Sequence, residues 1–278
     1  MKIKKTFAVI IGLFVMTFPI FAEEKNTQVE ISLAVDWTLG CYKETTFANI
    51  SQTIFAPRFE LDSKIYSKNL LHMITADYFF CHPKSAMTKT AVVYKNYDPV
   101  SGESYYEGFQ SNLAFHRIQL QYDAVYDVLK NEKSDLFVGG NFSCNAYLQF
   151  ENYPSITGML SIGPSAAFKY KIDERNSFMI TGSLPLLGYG VRPPFAGCDA
   201  QLMKYAEENF LKVLTLGNFL SLHNYQSLGL GFDYNLRATQ HFSTGLGFSF
   251  EYSRIAVPKE RPLYYLTGNF KTIVTINF

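Results

Sequence analysis

Hydrophobic residues in this chain recur at every second position over long stretches. Val29, Ile31, Leu33, Val35 and Trp37 share one parity, while Glu30, Ser32 and Asp36 occupy the other. Around 134–150, Leu136, Val138, Phe142, Ala146, Leu148 and Phe150 alternate with Asn141, Ser143, Asn145 and Gln149. The pattern repeats at 158–172, and again at 242–252, where Phe242, Leu246, Phe248, Phe250 and Tyr252 alternate with Ser243, Gly245, Gly247, Ser249 and Glu251. A period of two puts one oily face and one polar face on every strand.

Such strands build either a soluble sandwich or a membrane barrel, and three features choose the barrel. The alternating segments are often 13–17 residues long. Soluble strands average about 5–6 residues and membrane-crossing strands need about 9–11. The polar face is rich in Gly, Ser and Thr, which suits a lumen better than a water-facing surface. Aromatics gather near strand ends, at Tyr122, Tyr126, Phe168, Tyr170, Phe178, Phe232, Tyr234 and Phe242. That distribution resembles the aromatic girdles of outer-membrane barrels. Past residue 22 no apolar run reaches the roughly 20 residues of a spanning helix, so a polytopic helical protein is excluded. The charge balance, 25 Lys+Arg against 24 Asp+Glu, argues against a nucleic-acid partner.

The N-terminus reads as an export signal. Lys2, Lys4 and Lys5 precede an apolar stretch from Phe7 to Phe21, with the small residue Ala22 at the cleavage point. Residues 1–22 are therefore expected to be removed, leaving 23–278 as the barrel domain. The mature chain then holds 22 basic against 24 acidic residues, and its cysteines meet an oxidising compartment.

The last strand places Phe270, Thr272, Val274, Ile276 and Phe278 on one parity, and Phe278 is the final residue. This resembles the C-terminal assembly signal of bacterial (Gram-negative) outer-membrane β-barrels, and with the signal peptide and amphipathic strands the resemblance spans the whole chain. It implies an all-β, antiparallel up-and-down transmembrane barrel in the outer membrane, with membrane lipid and the barrel-assembly machinery as partners. Ten strands are expected: 28–38, 53–62, 69–81, 111–129, 134–150, 157–172, 176–190, 217–235, 241–254 and 262–278. Twelve is the alternative, because 88–97 and 103–110 also read as a hairpin. Short connections alternate with long ones, and the two longest, 82–110 and 191–216, fall on one side, expected to be extracellular. The second contains the one helical signal, capped by Asp199 and running to about Leu214. It reads equally as a lumen plug and as a helix resting on the rim.

Inward parity sets charge on strands one to four against Gly and Ser on strands five to nine. Arg58, Glu60, Asp77, Arg117 and Asp123 are the expected lumen or constriction residues, with each arginine paired to a carboxylate, because unpaired buried charge is costly. Cys41, Cys81 and Cys198 lie toward the extracellular side, giving Cys81–Cys198 or Cys41–Cys81 as candidate disulfides, while Cys144 lies on the oily parity. The cysteines lack metal-type spacing, and no P-loop, HExxH, EF-hand or dinucleotide fingerprint is present. No cofactor and no metal are expected.

His116 is not followed by the His-x-Ser pattern of outer-membrane phospholipase A, and no adjacent Asp-Asp or Asp-His of the omptin type occurs. The first reading is thus non-enzymatic: a narrow pore for a small solute, or a structural or adhesion protein displaying loops to a cell-surface ligand. In that reading Tyr94, Tyr97, Tyr105, Tyr106 and Phe109 supply contact surface. The alternative is a hydrolase or lipid-modifying enzyme with the helix as lid and His116 or His223 as its candidates. A carrier of small apolar molecules through a lateral gap shares the same barrel.

Overall fold

The computed structural model describes residues 27–45, 51–85, 91–97, 100–110, 114–150, 155–192, 204–205, 208 and 210–278. The expected leader at 1–22 lies outside them. The strands are β1 (Gln28–Glu44), β2 (Gln52–Ser67), β3 (Leu70–Cys81), β4 (Lys84–Ser85), β5 (Ala91–Tyr97), β6 (Ser104–Gln110), β7 (Ala114–Lys130), β8 (Ser134–Phe150), β9 (Ser155–Lys171), β10 (Asn176–Ser183), β11 (Leu187–Val191), β12 (Asn218–Ser221), β13 (Tyr225–Arg237), β14 (Phe242–Ile255) and β15 (Leu263–Asn277).

Each barrel strand pairs antiparallel with its chain neighbour. The sheet closes where β15 pairs with β1, from Glu30 opposite Asn277 to Glu44 opposite Leu263. β10 and β11 together occupy the seventh position and β12 and β13 the eighth, so ten strand positions complete the ring. Closure leaves no free edge, which lipid would not tolerate. The hairpin at β5 and β6 forms a separate two-stranded sheet from Ala91 opposite Gln110 to Tyr97 opposite Ser104. Ten strands, not twelve, make the barrel.

The alternating sequence maps onto the two faces. Outward residues are apolar yet uncovered: Leu33 is 63% exposed, Phe55 65% and Phe270 63%. Trp37 stacks on Phe55 at 5.4 Å between ring centroids, and Phe168, Tyr170, Phe178 and Phe232 form a run of outward rings 5.4–6.5 Å apart at the short-turn end. An apolar surface encircling the molecule has lipid, not water, as its solvent.

The short turns are built from local hydrogen bonds. Between β2 and β3 the chain reverses in two residues, Lys68 and Asn69, with Lys68 at φ 45° and the Asn69 carbonyl accepting from Asp127 N at 2.8 Å. Strand β2 runs to Ser67, five residues beyond the expected end at 62. Lys64, expected in the turn that follows 62, instead lines the lumen.

One expectation needs correction. Cys41 and Cys81 are free thiols, so neither the Cys41–Cys81 nor the Cys81–Cys198 bond is formed. Cys41 shares the outward parity of Leu39 on β1, whereas Cys81 is buried in the interior cluster on β3. A barrel wall separates them. Cys198 lies outside the described residues. The helix expected from Asp199 to about Leu214 falls within the described residues only in part, at α1 (Phe210–Val213) and the following 3₁₀ turn Leu214–Leu216. Val213 packs with Val191 of β11, Tyr205 and Leu216, and the Tyr189 hydroxyl donates to the Leu214 carbonyl at 2.5 Å. The described part of this segment rests on the rim.

Candidate functional site in the lumen

The lumen is layered along its axis. Toward the short-turn end, a polar vestibule of about 860 Å³ lies between Lys64, Tyr66, Asp127, Lys169 and Asp233. There Lys169 Nζ stands 3.5 Å from Glu30 Oε1 and donates to the Tyr66 hydroxyl at 3.0 Å. Leu71, Met73, Val125, Phe137, Ala167 and Met179 form an apolar cluster in the same half.

The middle is an ion cluster. Arg58 Nη1 donates to Glu251 Oε1 at 2.6 Å, and its Nε lies 3.4 Å from Asp36 Oδ2. Arg58 also contacts Glu60, and Asp77 Oδ2 lies 3.7 Å away. Arg117 Nη1 donates to Asp77 Oδ1 at 3.2 Å and Arg117 Nη2 to Glu251 Oε2 at 2.5 Å. Lys271 Nζ donates to Glu60 Oε1 at 2.5 Å. Asp36, Arg58, Glu60, Asp77 and Arg117 are each at most 4% exposed. Three cations thus meet four carboxylates away from bulk water. Arginine suits this position because its planar fork binds two carboxylates at once.

Along β7 the inward positions continue this network downward. Arg117 donates to Gln119, Gln119 to Gln121 at 3.0 Å, and Gln121 to Asp123 Oδ2 at 2.8 Å. Asn141 Nδ2 completes Asp123 from β8 at 2.9 Å. Of the five expected lumen residues, Arg58, Glu60, Asp77 and Arg117 therefore form one cluster. Asp123 is held by amides instead.

Sequence reasoning did not single out Glu251 and Lys271. Both sit on the polar parity of their strands, which was legible, but their partners lie across the barrel and the seam, which parity cannot show. Glu251 stands opposite Gly229 on β13 and Thr267 on β15, so it projects from the small-residue wall to bridge both arginines. Lys271 stands opposite Asp36 across the closing β15–β1 pair.

Toward the long-loop end aromatic rings fill the bore. Tyr42 packs on Phe115 at 4.5 Å, Phe79 on Phe115 at 5.8 Å, and Tyr147 on Tyr265 at 5.6 Å, all of them buried. The Arg117 guanidinium lies 5.0 Å over the Tyr265 ring, joining the plug to the ion cluster. Above it Arg192 pairs with Glu44, and its Nη1 donates to the Val257 carbonyl at 2.9 Å. Between the charged wall and the Gly/Ser wall a cavity of about 130 Å³ remains.

The histidines lie elsewhere. His72 and His116 are on the outer face, with His72 Nδ1 2.9 Å from the Tyr122 hydroxyl and His116 Nδ1 2.9 Å from that of Tyr78. His223 Nδ1 lies 2.7 Å from Ser221 Oγ in an exposed turn.

No protein-family model matches the chain, and no curated protein sequence matches it. Among solved structures it is similar to the outer membrane protease OmpT from Escherichia coli, with a TM-score of 0.56 and 6% identity over 92% of this chain and 97% of that one. The chain has the fold of a Gram-negative outer-membrane β-barrel. Weaker likenesses are to Neisserial surface protein A (TM-score 0.37, 11% identity, 89% of this chain and 97% of that one) and to the COG4313 outer membrane channel from Pseudomonas putida F1 (TM-score 0.39, 10% identity, 92% and 97%).

Removing one cation from the middle layer of this outer-membrane barrel leaves carboxylates buried without their partner. Arg117→Met should destabilise the folded protein by about 3 kcal/mol. By contrast Lys204→Met, which loses an exposed pair with Glu208 at 3.9 Å, should change stability by less than about 0.5 kcal/mol. Urea unfolding of the refolded chain in detergent micelles measures both, and equal effects would contradict the layered lumen.

Proposed function

We propose that this protein resides in the outer membrane as a non-enzymatic barrel sealed along its axis. Its long loops, with the β5–β6 hairpin, face outward as the contact surface for a cell-surface ligand. The short turns and both strand termini, Gln28 and Asn277, face the periplasm. The observation that carries this reading is the filled bore: ion cluster, aromatic plug and the Arg192–Glu44 pair stand in series. A conducting pore needs a continuous wet path, and here the Arg117 guanidinium over the Tyr265 ring joins the ion cluster directly to the plug. The exposed Phe278, whose N–H donates to the Val29 carbonyl at 2.9 Å, would present the C-terminal strand to the assembly machinery.

A second reading, a surface hydrolase, rests on the Ser221–His223 contact. It places a hydroxyl and an imidazole within hydrogen-bond reach, as nucleophilic catalysis requires. The described part of the long-loop rim holds no aspartate to orient the ring. Refolded protein should show no turnover of a fluorogenic ester above a His223→Ala control, and turnover lost in that variant would favour the hydrolase.

Planar-bilayer recording tests the main reading. The wild-type protein should give no resolved channel steps. A Phe115→Ala/Tyr147→Ala/Arg117→Ala variant, which removes the plug and one cation, should give them. Steady wild-type conductance would replace the sealed barrel with a pore.

A further inference from the structure

The barrel wall loses its ladder pairing at two places among the described strands: between Ile54–Pro57 of β2 and Phe80–Pro83, and between the seventh and eighth strands, where the break also borders the interior cavity. On β10 the ladder with β9 ends at Ser183 opposite Ser165, and on β11 it resumes at Leu187 opposite Ile162. The register shifts by one residue, so Leu184–Leu186 form a bulge. Toward β9 the bulge stays bonded: Leu184 N donates to the Pro164 carbonyl at 3.0 Å and Leu186 N to the Ile162 carbonyl at 2.9 Å. Toward the eighth strand it does not. β10 pairs with β13 only from Gly229 onward, and β11 pairs with β12 only up to Ser221. Residues 184–186 and 222–228 therefore face each other with no ladder pairing between them.

Local sequence explains the break. Pro185 has no N–H to give, and proline in a sheet is confined to edges and bulges. Gly163 on β9 lets the bulge bend inward: a Cβ there would run into the Leu184 carbonyl oxygen and come within 2.6 Å of Pro185 Cα. The eighth strand turns at 222–224, where Asn224 N donates to the Ser221 carbonyl at 2.9 Å, so seven residues lie opposite three. Outside, the break is flanked by exposed Leu184, Leu187 and Leu222, so it opens into the apolar belt. Inside, it borders the cavity of about 130 Å³, to which Pro185, Ser183, Ser227 and Gly229 all contribute. In lipid an unpaired stretch of wall is costly unless something satisfies it.

We infer that this break is a lateral mouth for a single-chain amphiphile with an uncharged, hydroxyl-bearing head of the monoacylglycerol class. The head occupies the cavity and the chain lies along Leu184, Leu187 and Leu222 in the membrane. The cavity selects such a head by its lining. Asn141 Oδ1 and Asn145 Oδ1, on side chains no more than 7% exposed, are buried without hydrogen-bond partners, and acceptors of this kind call for O–H donors. Opposite them stand Ser183 and Ser227, hydroxyls that both give and accept. The arginines are already engaged by carboxylates, so an anionic head has no free cation to meet. A glycerol head offers hydroxyl donors to these acceptors, whereas a phosphocholine has none. This lateral route is independent of axial sealing, because the plug lies toward the loops and the mouth pierces the wall.

Photolabelling tests the proposal. The full chain, refolded into lipid nanodiscs, is irradiated with a monoacylglycerol carrying a diazirine beside its ester, and the adducts are mapped by mass spectrometry. Adducts on residues 181–187 and 222–231 should exceed those on Leu33–Leu39 of β1 by about tenfold, the ratio given by ~1.4 kcal/mol of preference. Unlabelled monoolein should compete them away. Deleting Pro185, which restores continuous register with β9, should abolish the excess. Gly229→Leu fills the inner mouth while leaving the bulge intact, so it decides the matter if the deletion variant does not fold. Labelling spread evenly around the belt, or an excess unchanged by Gly229→Leu, would overturn the mouth. Equal labelling by a phosphocholine-headed analogue would overturn the assignment of its ligand.

Discussion

Everything in this molecule follows from where its backbone amides find partners. A wall immersed in hydrocarbon has no water to satisfy an N–H or a carbonyl, so each must bond to the neighbouring strand. Closure from β15 to β1 meets that demand at the seam and leaves the ring without a free edge. Once the ring closes, the two parities of each strand acquire opposite solvents. Leu33, Phe55 and Phe270 are exposed because lipid is their proper surroundings, and polar residues are buried because the lumen is.

Placing polar residues inside a narrow cylinder creates a second problem, the desolvation of charge. Arg58, Arg117 and Lys271 answer it by sharing Asp36, Glu60, Asp77 and Glu251, so that no cation stands alone. Glu251 touches both arginines from the small-residue wall, as Asp77 does from their own side. Aromatic rings then stack on the cluster through Tyr265 and seal the half toward the loops. Two stretches interrupt the ladder, one between β2 and the end of β3 and one at the seventh strand. The seventh strand's bulge, seated over Gly163, trades ladder bonds for access to the interior.

Period-two alternation made the ten strands and their inward residues legible, because parity is a local property of the chain. Arg58, Glu60, Asp77 and Arg117 were readable as lumen groups for that reason. Their actual partners were not. Which residues meet across a barrel depends on the stagger between strands, and no single strand encodes it, so Glu251 and Lys271 appeared only as polar positions. The Cys41–Cys81 pairing failed on parity itself: both lie near the loop end, but Cys41 faces outward and Cys81 inward. β2 ran past its expected end because the polar run that follows Asp62 looks like a turn, whereas its Lys64 is a lumen residue. Pro185 was the one local signal of the break, and it was masked by the apolar leucines around it.

The chain's single tryptophan offers the most direct test of its orientation. Trp37 lies on the outward face, 54% exposed, stacked on Phe55. In bilayers whose acyl chains carry bromine, its fluorescence should be strongly quenched, while aqueous acrylamide should barely affect it. Strong acrylamide quenching with none from the brominated lipid would place Trp37 in water and contradict a barrel whose oily face meets the membrane.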